Sequence, residues 1–115
     1  MGISFSHCDR DADSSYSCFH RFRSRLAREI GIDLDAMVGF GGIASWSIHN
    51  DPLIPFLNHD DNCGSLEPEV CATVAPRLEE VVSGWPRYDT DKERAFEIAR
   101  GMRKAAERGE RFRFL

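Results

Sequence analysis

With 115 residues and a net charge of −4, the chain is sized for a single domain, 1–115, able to bury roughly two-thirds of its unfolded surface. The acidic balance argues against a general nucleic-acid or membrane-surface binder, since both need surplus positive charge. No apolar run approaches membrane-spanning length, the first residues carry no export-signal pattern, and the four cysteines lack C-x-x-C spacing. Together these make a reducing, cytoplasmic address the expectation.

Ile3 and Phe5 alternate with serines, which predicts a short strand with one buried face. The polar loop Ser6–Ser15, SHCDRDADSS, ends in good helix-capping residues. It is the most site-like stretch of the chain. His7, Cys8 and Asp9 follow the strand end and precede a helix. A Cys–His pair can serve as nucleophile and base, but neighbours on extended backbone point apart. The base for Cys8 would therefore be His20 or His59, brought in by the fold. Asp9, Asp11 and Asp13 form D-x-D-x-D, a spacing that lets carboxylates converge on a hard divalent cation. The pattern lacks glycine at its sixth position, where Ser14 stands, and an acid at its twelfth, where His20 stands. Three acids ahead of a helix also simply favour its positive end. A zinc site drawn from His7, Cys8, Cys18, His20, His59 and Cys63 would need long-range convergence.

From Tyr16 to Ile30 the chain is amphipathic, with Tyr16, Phe19, Phe22, Leu26 and Ile30 on one face and Gly31 placed to stop the helix. Arg21, Arg25 and Arg28 form an opposite stripe, expected to be a solvated face. Arg23 projects on the apolar side. It is expected to be at least half buried and paired with a carboxylate, Asp9 or Asp61, the competing reading being a snorkelling side chain. Residues 33–50 hold three glycines among apolar residues, which predicts irregular backbone packed on the core. Gly39, Gly41 and Gly42 lack the spacing of a phosphate loop.

Asp51–Trp85 is the stretch around which the rest is arranged. Asp51-Pro52 opens a short helix, a tight polar loop follows, and a long amphipathic helix ends near Gly84. Val70, Cys71, Val74, Ala75, Leu78, Val81, Val82 and Trp85 share one arc that runs through Pro76 without a break, so one kinked helix is expected rather than two. Cys71 on that arc reads as a small core residue. The loop resembles a degenerate EF-hand: with Gly64 at the sharp turn, His59, Asp61, Cys63, Ser65, Glu67 and Val70 take the ligand positions, and His59, Cys63 and Val70 are unsuitable there. Beyond Trp85, Thr90 and Glu93 suggest a capping box for a helix reaching about Arg108, with Gly109 as its stop. Its face of Ala95, Phe96, Ile98, Ala99, Met102, Ala105 and Ala106 suits close packing. Arg111–Phe114 alternates as a terminal strand whose natural partner is Ile3–Phe5.

SHCD, the segment YSCFHRFR at Tyr16–Arg23, and the run H-x-D-x-C-G-x-L-x-P-E-x-C-x-x-V-A-P-R-L together resemble a family of small proteins of actinobacteria and their phages. That resemblance implies a shared fold and no established activity or cofactor. Relatives carry D-C-D-G and P-E-E-C where this chain has Cys63 and Val70, so it departs from the pattern where a loop cation would sit.

The expected fold is α+β: three to four helices, one kinked at Pro76, with a short sheet pairing the N- and C-terminal strands. The expected function is non-catalytic binding of a host protein or a small ligand, with homo-oligomerisation open and no cofactor. The competing class is a divalent-metal-dependent enzyme or metal-binding protein using the acidic N-terminal loop. The candidate ligand or partner residues are His7, Cys8, Asp9, His20, Arg23, His59 and Asp61, and the candidate metal ligands are Asp9, Asp11 and Asp13.

Overall fold

The computed structural model describes residues 2–9, 12–58 and 64–115. In chain order these form β1 (Gly2–Ile3), β2 (Ser14–Ser15), α1 (Tyr16–Glu29), 3-10 turns at Leu34–Ala36 and Trp46–Ile48, α2 (Ile54–Leu57), β3 (Ser65–Leu66), α3 (Pro68–Val82), α4 (Thr90–Arg108) and β4 (Phe112–Arg113). The fold is α+β.

Each long helix has a local reason for its limits. Ser15 caps α1, its hydroxyl accepting the N–H of Cys18, and Gly31 follows the helix at φ 81°, a left-handed conformation that suits glycine. Helix α3 starts with Pro68 at its first position and continues through Pro76 as expected. Pro76 and Ala72 both face solvent, so the carbonyl that loses its helical partner at Pro76 can be satisfied by water. Helix α3 ends at Val82, close to Gly84 as expected, with Ser83 at the cap, its hydroxyl donating to the carbonyl of Glu80. Helix α4 is capped by Asp89, not Thr90. The Asp89 carboxylate accepts from the N–H groups of Asp91 and Lys92, and Thr90 becomes the first helical residue. A carboxylate at the cap adds charge to the hydrogen bonds that a hydroxyl would make. Gly109 ends α4 at φ 66°.

Helices α3 and α4 make the most extensive element pairing. The buried side of α4 is rich in small residues, Ala95, Ala99 and Ala105, set among Ile98, Gly101 and Met102. Phe96 was expected on that face but lies on the exposed side. Gly101 is where the loop after β1 presses on the helix, because a Cβ there would lie 2.5 Å from the Cys8 Sγ.

The strands are short and meet in two sheets. β1 pairs antiparallel with β2, Gly2 opposite Ser15, and β3 pairs antiparallel with β4, Leu66 opposite Phe112. The termini also meet, as the alternation at each end suggests. Phe5 and Phe114 form an antiparallel bridge, and Ser4 and Leu115 exchange backbone hydrogen bonds at 3.3 and 2.9 Å. This closure places Phe5 and Phe112 in a stacked pair at 5.5 Å, and Phe5 edge-on to Phe19 at 5.7 Å. Phe19 meets Phe56 of α2 edge-on at 6.0 Å. An aromatic core thus ties α1, α2 and the joined termini together.

Candidate functional site

Three places deserve comparison: the SHCD corner, the surroundings of Arg23, and the glycine-rich loop at 37–48.

At the SHCD corner the side chains are tied to α4 and the C-terminal segment. The Ser6 hydroxyl bonds His7 Nδ1 at 2.6 Å, and His7 Nε2 bonds the Glu110 carboxylate at 3.0 Å. The backbone N–H of Arg113 donates to the same Ser6 oxygen at 2.9 Å. Serine, imidazole and carboxylate are linked in series, as in a hydrolase. The Ser6 N–H, however, is spent on the Arg113 carbonyl and that of Asp9 on Glu97, so neither is free to bind an oxyanion. The chain of bonds fastens the two ends of the protein. Cys8 points the other way, its thiol donating to the Glu97 carbonyl at 3.5 Å. Burial, reinforced by the Glu97 charge, pushes this thiol up to about 12. A thiol so disinclined to ionise is unsuited to nucleophilic work.

Asp9 does not turn to Arg23. Its backbone N–H donates to Glu97 at 2.8 Å and its carboxylate pairs with Arg100 at 3.0 Å, while Arg100 also grips Glu97 at 2.6 Å. Asp13 is exposed. Asp11 lies outside the described residues, as do His59, Asp61 and Cys63. Among the described residues no three of His, Cys, Asp and Glu gather in a way that could hold a metal. His20 keeps separate company, bonded to Asp35 at 3.1 Å and stacked on Phe40. In the helix–loop–helix stretch, Gly64 takes φ 115° and Leu66 is buried in β3, but the helix before the loop is only four residues long.

Arg23 is 1% exposed, as its place on the apolar face suggested. Its guanidinium lies 4.6 Å from the Phe19 ring centroid and 5.0 Å from that of Phe40, and Nη1 donates to the Leu57 carbonyl at 3.3 Å. At these distances the cation is attracted to both ring faces. Arg25 departs from the solvated stripe expected of it. Its guanidinium sits 3.7 Å from the Trp85 ring centroid and pairs with Asp89 at 2.8 Å and Asp91 at 3.2 Å.

The glycine-rich loop folds back on itself. Val38 N–H donates to Ala44 and Ala44 N–H to Ala36, each at 2.9 Å, and Met37 and Ala44 form a parallel bridge. Gly39 and Gly41 both adopt φ 93°, and Gly42 lies so close to Ala36 that a Cβ would fall 2.0 Å from its carbonyl oxygen. Phe40 and Trp46 turn inward, 6.0 Å apart, with the Trp46 indole N–H on the Val38 carbonyl at 3.0 Å. Val38, Ile43 and Ile48 consequently point out, 52%, 96% and 68% exposed. The sequence reading found the irregular packed backbone here and missed the outward apolar residues. Its alternation of aromatic and β-branched side chains was the available signal.

No family model, curated protein or solved structure matches the chain. Among the described residues, no helix is long and apolar enough to cross a membrane.

Proposed function

We propose that the protein is a small non-catalytic binding module that captures an apolar segment of a partner protein on the 37–48 loop. One observation carries this reading: Val38, Ile43 and Ile48 are held outward by a hydrogen-bonded loop anchored through Phe40 and Trp46. Isolated exposed apolar residues are ordinary, but three on one braced loop make a preorganised contact surface. The proposed setting is cytoplasmic, on the cysteine pattern of the sequence, and the proposed partner is a host protein. A small-molecule ligand is the weaker version, because side chains as exposed as Val38, Ile43 and Ile48 do not enclose a small molecule. The competing class, a divalent-metal enzyme working through Asp9, Asp11 and Asp13, is disfavoured by the engagement of Asp9 with Arg100.

The test is site-specific photo-crosslinking in cells of the source organism. A photoactivatable residue at Ile48 should yield one dominant adduct, lost in Ile43→Ser, while one at Arg87 should not. A dominant adduct with a second copy of the chain, supported by sedimentation, would make the partner a homodimer. Equal, diffuse labelling from both positions, in a protein that stays monomeric, would remove the loop as a docking surface.

A further inference from the structure

The start of α1 and the start of α4 face one another across an open groove of about 340 Å³, lined by Cys18, Arg21, Arg25, Thr90, Asp91 and Arg94. Cys18 is the third residue of α1, where the helix presents its positive end to a side chain. Arg21, one turn on, donates from Nη2 to the Cys18 sulfur at 3.2 Å. Arg25 is held by Asp89 and Asp91, and Arg94 by Asp91 at 2.9 Å. Among the described residues Arg21 pairs with no carboxylate. The groove therefore sets three guanidinium groups against two carboxylates and keeps one cation uncompensated beside the thiol.

The described thiols divide sharply. Burial raises Cys8 to about 12 and Cys71 to about 11, whereas hydrogen bonds from Ser15 and Arg21 pull Cys18 down. The thiolate is the reactive form, and a surplus cation attracts an anionic reagent to it.

We propose that Cys18 is a modification site that forms mixed disulfides with anionic low-molecular-weight disulfides, whose carboxylates are received by the arginines of the groove. The Cys18 thiolate attacks one sulfur of the reagent. A new sulfur–sulfur bond forms to Cys18 as the reagent's own breaks, and the departing half leaves as a thiolate with the electron pair. The proton released from Cys18 goes to solvent. No other oxidant is needed, because the disulfide is itself reduced.

The experiment compares the anionic 5,5′-dithiobis(2-nitrobenzoate) with the neutral 4,4′-dithiodipyridine, following the rate at Cys18 by peptide mass mapping so that Cys63 is counted separately. The ratio of anionic to neutral rates should be roughly tenfold higher in the native protein than in urea-unfolded chain. It should fall several-fold in Arg21→Gln and in high salt. Arg21 is exposed, so that variant should fold, and circular dichroism checks it. If it does not fold, the salt dependence of the unmodified protein decides. Native and unfolded ratios that agree, or a native ratio indifferent to salt and to a folded Arg21→Gln, would overturn the proposal.

Discussion

Arg77 holds Asp51 with two hydrogen bonds, from Nε at 3.1 Å and Nη2 at 2.8 Å, joining the middle of α3 to the residue that opens the α2 turn. Asp51 also accepts the Leu53 N–H at 2.9 Å. Its carboxyl is held below the ordinary 3.8, chiefly by the Arg77 guanidinium. Asp51 is 17% exposed and Arg77 29%, so the pair is partly shielded from water.

The first prediction follows from that pair. Asp51→Asn should cost about 1–2 kcal/mol at neutral pH, since a charged, bidentate contact is weakened. Because the folded pKa is depressed, the stabilisation is fully present above the unfolded value and lost as pH falls through the folded one. Chemical denaturation should accordingly show the wild type losing more stability than Asp51→Asn as pH drops from about 4. Parallel acid curves for the two proteins would refute the assignment. The double variant with Arg77→Ala should cost less than the sum of the singles.

The second prediction concerns Arg23. Arg23→Ala removes a cation that lies over the Phe19 and Phe40 rings and leaves the Leu57 carbonyl without that donor. The cost should be about 3 kcal/mol, from the cavity and the unsatisfied group together, lowering Tm on the order of 10 °C. Arg23→Lys should rescue little, because the ammonium lacks the guanidinium's plane. A Tm within about a degree of wild type for Arg23→Ala would mean the contacts contribute nothing net.

Arg23 and Arg25 together show how far the sequence could be read. Helical periodicity put Arg23 on the buried side, and it is buried. The same periodicity put Arg25 on the outer face and could not supply Trp85, Asp89 and Asp91, which reach it from a distant connection. Pro76 was readable because the apolar arc continues through it. The β3–β4 pairing was not, since Ser65-Leu66 is too short to carry an alternating pattern. Asp89 and Thr90 are both good caps in succession, and only the geometry of the first turn decides between them. The reactive character of Cys18 had a legible part, a cysteine three residues after Ser15 and three before Arg21. The opposing groove wall from α4 was beyond local reasoning.

The third prediction addresses the acidic N-terminal loop. A divalent ion there would compete with Arg100 for the Asp9 carboxylate. Millimolar calcium, magnesium or manganese should shift the Tm of chelator-treated protein by less than about a degree at constant ionic strength. A saturable, ion-selective rise of several degrees, weakened by Asp11→Asn, would instead favour the metal-dependent class.

The fourth prediction tests how the N-terminal corner is seated on α4. Gly101 is buried inside a 19-residue helix, where glycine is intrinsically less favourable than alanine. Its use is explained by what a Cβ would meet: the Cys8 Sγ at 2.5 Å, the His7 carbonyl at 3.1 Å and the Phe112 ring at 3.1 Å. Gly101→Ala should therefore destabilise by about 1–3 kcal/mol through overpacking, outweighing its gain in helix propensity. The closest contact is to a side-chain sulfur, so Cys8→Ala should relieve much of the clash. In a double-mutant cycle the coupling between the two substitutions should be favourable and at least about 0.5 kcal/mol. Strict additivity would show that the corner moves away from α4 as a unit, with Cys8 playing no part in fixing its height above the helix.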